Sequence, residues 1–226
     1  MFLSRVPLSP FHLIQKNFNE KKGTVLDIGC GQGLSMQLVP NRRNYFCVGI
    51  DIFMPYIEFC KTQRSHDALI LCDAKHLPFR EKSFDIVFCF EVIEHLLKVD
   101  GLHLINQVEK IAFKKIVFSV PVGSSQLETS DGVYDGNLYQ KHKSIWYPYE
   151  FQSLNYHVES QGLRIFEKFY DSIKGRRTLN VNDKIKFNPS LILIALIATL
   201  LYPVKILSYF IPNLGAHMIC TKQIQN

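Results

Sequence analysis

Three aspartates lie at or just beyond the ends of short apolar runs, where a carboxylate can hold the polar groups of a ligand. Asp27 and Asp51 lie near the carboxyl ends of their runs, and Asp73 comes shortly after a third run. Apolar runs of this kind are typical of strands buried on both faces. Because ligands bind at the carboxyl ends of parallel strands in an open α/β sheet, we expect the three carboxylates to converge on one site.

A glycine-rich turn follows the first aspartate and joins the first strand to a short helix expected over 34–39. Gly29, Gly31 and Gly33 remove the side chains that would keep a ligand away from the backbone. The free N–H groups at the start of the helix would point at that ligand. The arrangement predicts nucleotide binding, although the Gly-x-Gly-x-Gly spacing differs from the Gly-x-Gly-x-x-Gly dinucleotide fingerprint.

This order of acid, glycine turn and second acid resembles the class I S-adenosylmethionine-dependent methyltransferases over roughly residues 20–170 and a final strand. The resemblance implies that Asp27 and the glycine backbone hold the amino-acid end of the cofactor. It also implies that Asp51 binds the ribose, and that Asp73 and the Ala74 backbone bind adenine. The cofactor-binding residues implied in this way are Asp27, Gly29, Cys30, Gly31, Gly33, Asp51, Ile52, Asp73, Ala74, Phe90 and Glu91.

The same resemblance implies an α/β fold, a Rossmann-like seven-stranded mixed sheet in the order 3-2-1-4-5-7-6 with helices on both faces. From the sequence we predict strands over 24–28, 45–52, 68–71, 83–91, 115–120, 163–169 and 216–222, and helices over 11–18, 34–39, 54–61, 92–97, 102–112 and 149–156. The 226 residues suffice for one α/β domain, so we treat 1–226 as a single domain.

Glu94, His95 and His142 are the candidate catalytic residues. His142 lies in the long loop 121–148, which we assign to acceptor binding, and an imidazole that titrates near neutrality can act as a general base. Together with Glu91, the three residues resemble the Glu-x-x-Glu-His metal site of Hen1-type RNA 2′-O-methyltransferases. The alternative is a helical start, of the kind common in methyltransferases without metal, whose residues cap a helix and shape the acceptor pocket, and we expect no metal.

An apolar helical insert is expected over 187–213, within the domain and before its last strand. The run 191–201 contains one polar residue, is too short to span a bilayer, and follows the mainly basic segment 172–189. We therefore expect peripheral contact with a membrane through 190–211, and a hydrophobic lid or dimer face is the alternative. With no signal peptide at the N-terminus, we expect a cytoplasmic protein, whose peripheral membrane contact would be with the inner face.

The six cysteines form no Cys-x-x-Cys pair, which predicts reduced, buried thiols and neither a zinc site nor a disulfide framework. The expected cofactor is S-adenosylmethionine, and the expected reaction is O-methylation of a small-molecule or lipid-like acceptor. DNA is not expected as a partner, and RNA is not favoured. Two alternatives stay open: a metal-dependent RNA 2′-O-methyltransferase of the Hen1 type, and a non-catalytic S-adenosylmethionine-binding scaffold.

Overall fold

Seven strands form one mixed sheet in the computed structural model, which describes residues 15, 18, 21–37, 39–123, 136–161 and 215–224. The strands are β1 (Gly23–Ile28), β2 (Tyr45–Asp51), β3 (Ala68–Leu71), β4 (Phe84–Phe90), β5 (Ala112–Pro121), β6 (His157–Gln161) and β7 (His217–Gln223). The helices are α1 (Leu34–Gln37), α2 (Met54–Gln63), α3 (Lys98–Ile111) and α4 (Pro148–Ser153).

The strand order is β3-β2-β1-β4-β5-β7-β6, which confirms the predicted Rossmann-like topology. Strands β1 to β5 pair in parallel, whereas β7 runs antiparallel between β5 and β6. Parallel pairing brings the carboxyl ends of β1 to β4 to the same edge of the sheet, and that edge carries the predicted site.

Successive residues of each strand point to opposite faces, and both faces are buried. In β1, Leu26 packs in one hydrophobic cluster with Leu104 and Val108 of α3, while its neighbour Val25 packs in a second cluster with Met36 of α1. Leu26, Leu104 and Val108 are all fully buried. Burial on both faces explains why the strands read as continuous apolar runs rather than as alternating patterns.

Two predicted elements need correction. The described strand that pairs with β7 is His157–Gln161, whereas the prediction placed this strand over 163–169, residues that lie outside the described part of the chain. The chain enters β6 early because α4 ends at Ser153 and Asn155 turns the backbone with a φ of 62°. Over 92–97 a 3₁₀ turn of Ile93–His95 replaces the predicted helix, and α3 begins only at Lys98.

The apolar insert 187–213, the basic segment 172–189 and most of the predicted lead-in helix 11–18 lie outside the described residues. Among the residues that are described, no helix is both long enough and apolar enough to cross a membrane. The membrane expectation therefore stays a prediction.

Candidate active site

A cavity of about 170 Å³ opens at the carboxyl ends of β1 to β4. Its wall is built largely from the turns that follow these strands. The wall residues that were predicted from the sequence are Gly29, Gly31, Asp51, Ile52, Asp73, Ala74, Glu91 and His95. The sheet edge thus brings two of the three predicted carboxylates, Asp51 and Asp73, into one cavity.

The Asp51 carboxylate links the two turns that border the cavity. Its Oδ2 accepts the backbone N–H of Gly31 at 2.9 Å, and its Oδ1 accepts the N–H of Phe53 at 2.9 Å. Burial raises the pKa of Asp51 above its usual range, and these two hydrogen bonds act in the opposite direction. Each carboxylate oxygen can accept a further hydrogen bond, so Asp51 can bind a ligand while its side chain stays fixed.

Asp73 forms a local turn on the wall of the same cavity. Its Oδ1 accepts the Lys75 backbone N–H at 2.9 Å, and the Lys75 ammonium lies 3.5 Å from Oδ2. The side chain is about one-third exposed, at 32%. Asp73 and the Ala74 backbone between these partners are therefore accessible to a polar ligand edge.

Asp27 lies apart from the cavity wall, unlike the other two aspartates. It is 1% exposed, and its Oδ2 lies 3.0 Å from His66 Nε2 and also accepts the Ser35 hydroxyl. Asp27 pairs in register with Gly49, where an added Cβ would come within 2.8 Å of the His66 ring. The missing side chain at Gly49 therefore makes room for His66 to reach Asp27 inside the fold.

Three other residues predicted to bind the cofactor, Cys30, Gly33 and Phe90, also lie outside the wall of this cavity. The wall instead includes polar residues that the sequence did not single out: Lys75, Asn137, Gln140 and Lys143. Asn137, Gln140 and Lys143 belong to the long loop that was assigned to acceptor binding as a whole. The length of this loop is visible in the sequence, but length alone does not show which of its residues line the cavity.

Glu91 leaves β4 in a left-handed conformation, with a φ of 53°. Such backbone strain in a residue other than glycine is concentrated at functional sites. Its Oε1 accepts the Ser119 hydroxyl at 2.6 Å, and its Oε2 lies 3.4 Å from His217 Nδ1. Burial raises the pKa of Glu91, but His217 and the Ser119 hydrogen bond outweigh it and hold the pKa below its usual range. Glu91 therefore places a negative charge on the cavity wall.

Glu94, His95 and His142, here called the Glu94 cluster, come together next to this wall, to which His95 contributes. One side-chain ligand atom from each lies within 4.8 Å of the others, and the two imidazole rings are 4.8 Å apart. The Glu94 carboxylate is 1% exposed, and neither oxygen has a hydrogen-bond partner among the described residues. Burial, together with the charge of Glu91, raises the pKa of Glu94 well above its usual range.

The backbone fixes His142 in the Glu94 cluster. The N–H groups of Lys143 and Ser144 both donate to the Glu94 carbonyl, at 2.7 and 3.0 Å. His95 reaches the cavity wall, and burial beside His142 lowers its pKa to about 4. The His95 imidazole is therefore neutral at pH 7.

Trp146 anchors the loop that carries His142. Its indole is fully buried and donates to the Ser144 hydroxyl at 2.9 Å. The Lys98 ammonium lies 3.4 Å from the centre of the Trp146 ring and donates to the Ile145 carbonyl at 2.7 Å. Lys98 also pairs with Glu150 at 2.6 Å, which ties the start of α3 to α4 across the loop.

Comparisons with known proteins agree with this arrangement. Residues 26–111 match the family model described as a methyltransferase domain. An uncharacterized protein from Methanocaldococcus jannaschii is 30% identical over 133 residues, which cover 59% of this chain and 56% of that protein. A tRNA U34 carboxymethyltransferase from Sulfurimonas denitrificans is 32% identical over 89 residues, covering 38% of this chain and 30% of that enzyme. The chain thus spans only part of the length of these relatives.

A putative methyltransferase from Bacillus halodurans has a similar solved structure, with a TM-score of 0.58 at 12% identity. The superposition covers 96% of this chain and 99% of that chain. At this identity the likeness demonstrates a common fold. The family match over residues 26–111 and the strand order of the sheet both support the predicted resemblance to the class I S-adenosylmethionine-dependent methyltransferases.

Proposed function

We propose that the protein transfers the methyl group of S-adenosylmethionine to an oxygen atom of a small-molecule or lipid-like acceptor. The observation that carries this proposal is the meeting of Asp51, Asp73 and Glu91 on the wall of one cavity. In this proposal Asp51 accepts hydrogen bonds from the ribose hydroxyls, while Asp73 and the Ala74 backbone bind the adenine edge. Gly29 and Gly31 allow the amino-acid end of the cofactor to approach the backbone.

Methyl transfer from a sulfonium requires little covalent help from the protein. The methyl carbon is already electrophilic, so holding the acceptor oxygen in line with the leaving sulfur supplies most of the rate enhancement. The acceptor hydroxyl loses its proton as the new bond forms, and a positioned base contributes a smaller factor. His95 is the imidazole on the cavity wall and is neutral at pH 7, and its lowered pKa makes it a weak base, in keeping with the smaller factor assigned to the base.

Apolar side chains favour an acceptor with a hydrophobic part. Val92, Leu96 and Tyr139 line the cavity beside the polar groups already described. A mostly apolar wall with a few convergent polar groups is the usual composition of a small-molecule site. Residues 190–211 of the apolar insert give separate, sequence-based support for a lipid-like acceptor.

The test is transfer of label from methyl-labelled S-adenosylmethionine into lipid, small-molecule and RNA fractions of a cell extract. We expect label in the lipid or small-molecule fraction with the wild-type protein and strongly reduced label with Asp51→Ala. Label confined to RNA would contradict the proposed acceptor. If no fraction is labelled and no S-adenosylhomocysteine forms, the non-catalytic scaffold replaces the enzyme.

A second candidate is metal-dependent methylation of an RNA 2′-hydroxyl. It is favoured by the buried Glu94 carboxylate, which has no hydrogen-bond partner among the described residues and lies beside two imidazoles. A carboxylate and two imidazoles form a donor set that fits a divalent cation. Such an ion would polarise the hydroxyl, and Glu94, His95 and His142 would hold it, with Glu91 nearby on the wall. A relative named as a tRNA carboxymethyltransferase removes the reason for disfavouring RNA.

Chelation separates the two candidates. The metal-dependent enzyme should lose methylation of short RNA oligonucleotides in EDTA, recover it when Mn²⁺ or Mg²⁺ is added back, and lose it in Glu94→Ala. Ser153→Ala, a change at an exposed serine of α4, serves as the control. Full RNA methylation in the presence of EDTA would exclude the metal-dependent mechanism.

A further inference from the structure

We propose that Cys30, Cys60 and His66, here called the thiol cluster, bind a zinc ion directly beneath the glycine-rich turn. One ligand atom from each residue lies within 4.8 Å of the others. All three residues are buried, at 4%, 0% and 8% exposure. Two thiolates and one imidazole form a ligand set that Zn²⁺ prefers.

The orientation of His66 supports this inference. Its Nε2 lies 3.0 Å from the buried Asp27 carboxylate, so its Nδ1 is the nitrogen on the side of Ser65, whose hydroxyl lies 2.8 Å away. A zinc-binding histidine usually donates its second ring N–H to a carboxylate, which fixes the ring and its tautomer. Asp27 occupies that supporting position. A disulfide between the cysteines would explain neither His66 nor its partner.

Small movements would complete the coordination. Tetrahedral zinc places sulfur ligands at about 2.3 Å and nitrogen ligands at about 2.0 Å from the metal, so neighbouring ligand atoms lie less than 4.8 Å apart. Rotation of the Ser65 hydroxyl would free His66 Nδ1, and that hydroxyl or a water molecule would supply the fourth ligand. Both thiols lose their protons as the two Zn–S bonds form, and the two protons pass to solvent.

The location gives the metal a specific effect. Cys30 lies between Gly29 and Gly31, which line the cofactor cavity, and the Cys60 thiol donates to the Gly31 carbonyl at 3.2 Å. An added Cβ at Gly33 would come within 3.2 Å of the Cys60 sulfur, so the turn packs closely on the cluster. Zinc bound here would hold the turn that meets the cofactor. The ligands are far apart in sequence, so a search for Cys-x-x-Cys pairs could not find them.

The test is the zinc content of the full-length protein after equilibration with Zn²⁺ in reducing buffer and gel filtration. We expect about one tightly held zinc per chain in the wild type and its loss in both Cys60→Ser and Cys30→Ser. Cys220→Ser is the matched control, since this cysteine is equally buried but lies in β7 outside the cluster. Circular dichroism verifies that the serine variants are folded.

Cobalt provides a second measurement that separates this site from the Glu94 cluster, which contains no thiol. The Co²⁺-loaded wild type and the His142→Ala variant should both show thiolate-to-cobalt charge-transfer absorption, and Cys60→Ser should not. Zinc retained by both folded serine variants, or absence of this absorption from the wild type, would overturn the proposal. The proposal would also be overturned if the wild-type protein contained a Cys30–Cys60 disulfide and bound no zinc even after this disulfide was reduced. None of these results depends on methyl transfer.

Discussion

At the scale of single residues, the three aspartates near the ends of β1, β2 and β3 have different surroundings. Asp51 and Asp73 share one cavity wall, whereas Asp27 faces His66 inside the fold. The difference arises because the side chain of Asp27 belongs to a strand interior and those of Asp51 and Asp73 to strand ends. Gly49 is visible in the sequence, but only the pairing of β1 with β2 shows that it lies opposite Asp27 and makes room for His66.

Asp27 should contribute mainly to stability through its buried contact with His66. We expect Asp27→Ala to lower the free energy of unfolding by about 3–5 kcal/mol, because it leaves a buried histidine without its carboxylate partner. Urea denaturation measures this loss, and the exposed residue Glu81, changed to Ala, provides a control expected to stay within about 0.5 kcal/mol. A loss below about 1 kcal/mol for Asp27→Ala would contradict the structural role given to this ion pair.

At the scale of elements, six of the seven strands were visible as apolar runs and the resemblance supplied the strand order, but β6 was not located from the sequence. The strand His157–Gln161 contains His157, Glu159 and Ser160, so its composition is not typical of a strand. It is one of the two edge strands of the sheet, and among the described residues it pairs with β7 alone. Tertiary pairing, rather than local propensity, therefore determines where β6 lies.

Asp85 clamps three neighbouring strands at the end of the sheet opposite the cavity. Its Oδ2 accepts the Thr24 backbone N–H at 2.8 Å and the Thr24 hydroxyl at 3.1 Å, and Lys114 lies 2.9 Å from its Oδ1. Burial raises the pKa of Asp85, but these partners outweigh burial and lower the pKa below its usual range.

A lowered carboxyl pKa stabilises the fold above the unfolded-state value of about 3.9, and that contribution is lost as the pH falls through the folded-state value. At pH 7 we expect Asp85→Asn to be about 1–2 kcal/mol less stable than the wild type. Below about pH 4 this difference should shrink, because the wild type loses the contribution of the ionised Asp85 carboxylate. Urea titrations at several pH values measure both effects. A wild type and variant that differ equally at pH 7 and at pH 3 would contradict this assignment.

Gly101 lets α3 approach the loop that carries His142. A Cβ at this position would lie 2.6 Å from the Trp146 ring and 2.9 Å from the Ile93 side chain. We expect Gly101→Ala to destabilise the fold by about 1–3 kcal/mol through overpacking, although alanine is the better helix former. Thermal unfolding measures the change, and Leu102→Ala, at an exposed neighbour, is the control. A stabilised Gly101→Ala variant would show that the loop does not pack as described.

At the scale of the whole molecule, the part of the cavity wall at the strand ends could be predicted and the part from the long loop could not. The strand ends are visible in the sequence as the ends of apolar runs. The loop part includes Asn137, Tyr139 and Lys143, which belong to a segment without periodicity. Tertiary contacts, such as the two hydrogen bonds to the Glu94 carbonyl, decide which loop residues reach the site.

The apolar insert is expected to bring the whole molecule to a membrane surface. We expect the protein to sediment with vesicles that contain anionic lipid, because apolar residues over 190–211 follow a basic segment. Sedimentation should weaken as salt is raised and should disappear when 190–211 is replaced by a short Gly/Ser linker. Neutral vesicles provide the control. A linker variant that sediments as well as the wild type would rule out membrane contact through the insert.

The most direct test of the account is calorimetric binding of S-adenosylmethionine to the wild type and to Asp51→Ala. We expect one site per chain in the wild type. In Asp51→Ala the affinity should fall by about 1–3 kcal/mol, or about 5- to 150-fold, through loss of charge-assisted hydrogen bonds to the ribose. Asp67→Ala is the control, because Asp67 is an exposed aspartate directly before β3 and does not line the cavity; this variant should keep the wild-type affinity. Equal affinity in wild type and Asp51→Ala, or no binding by the wild type, would contradict the proposed site.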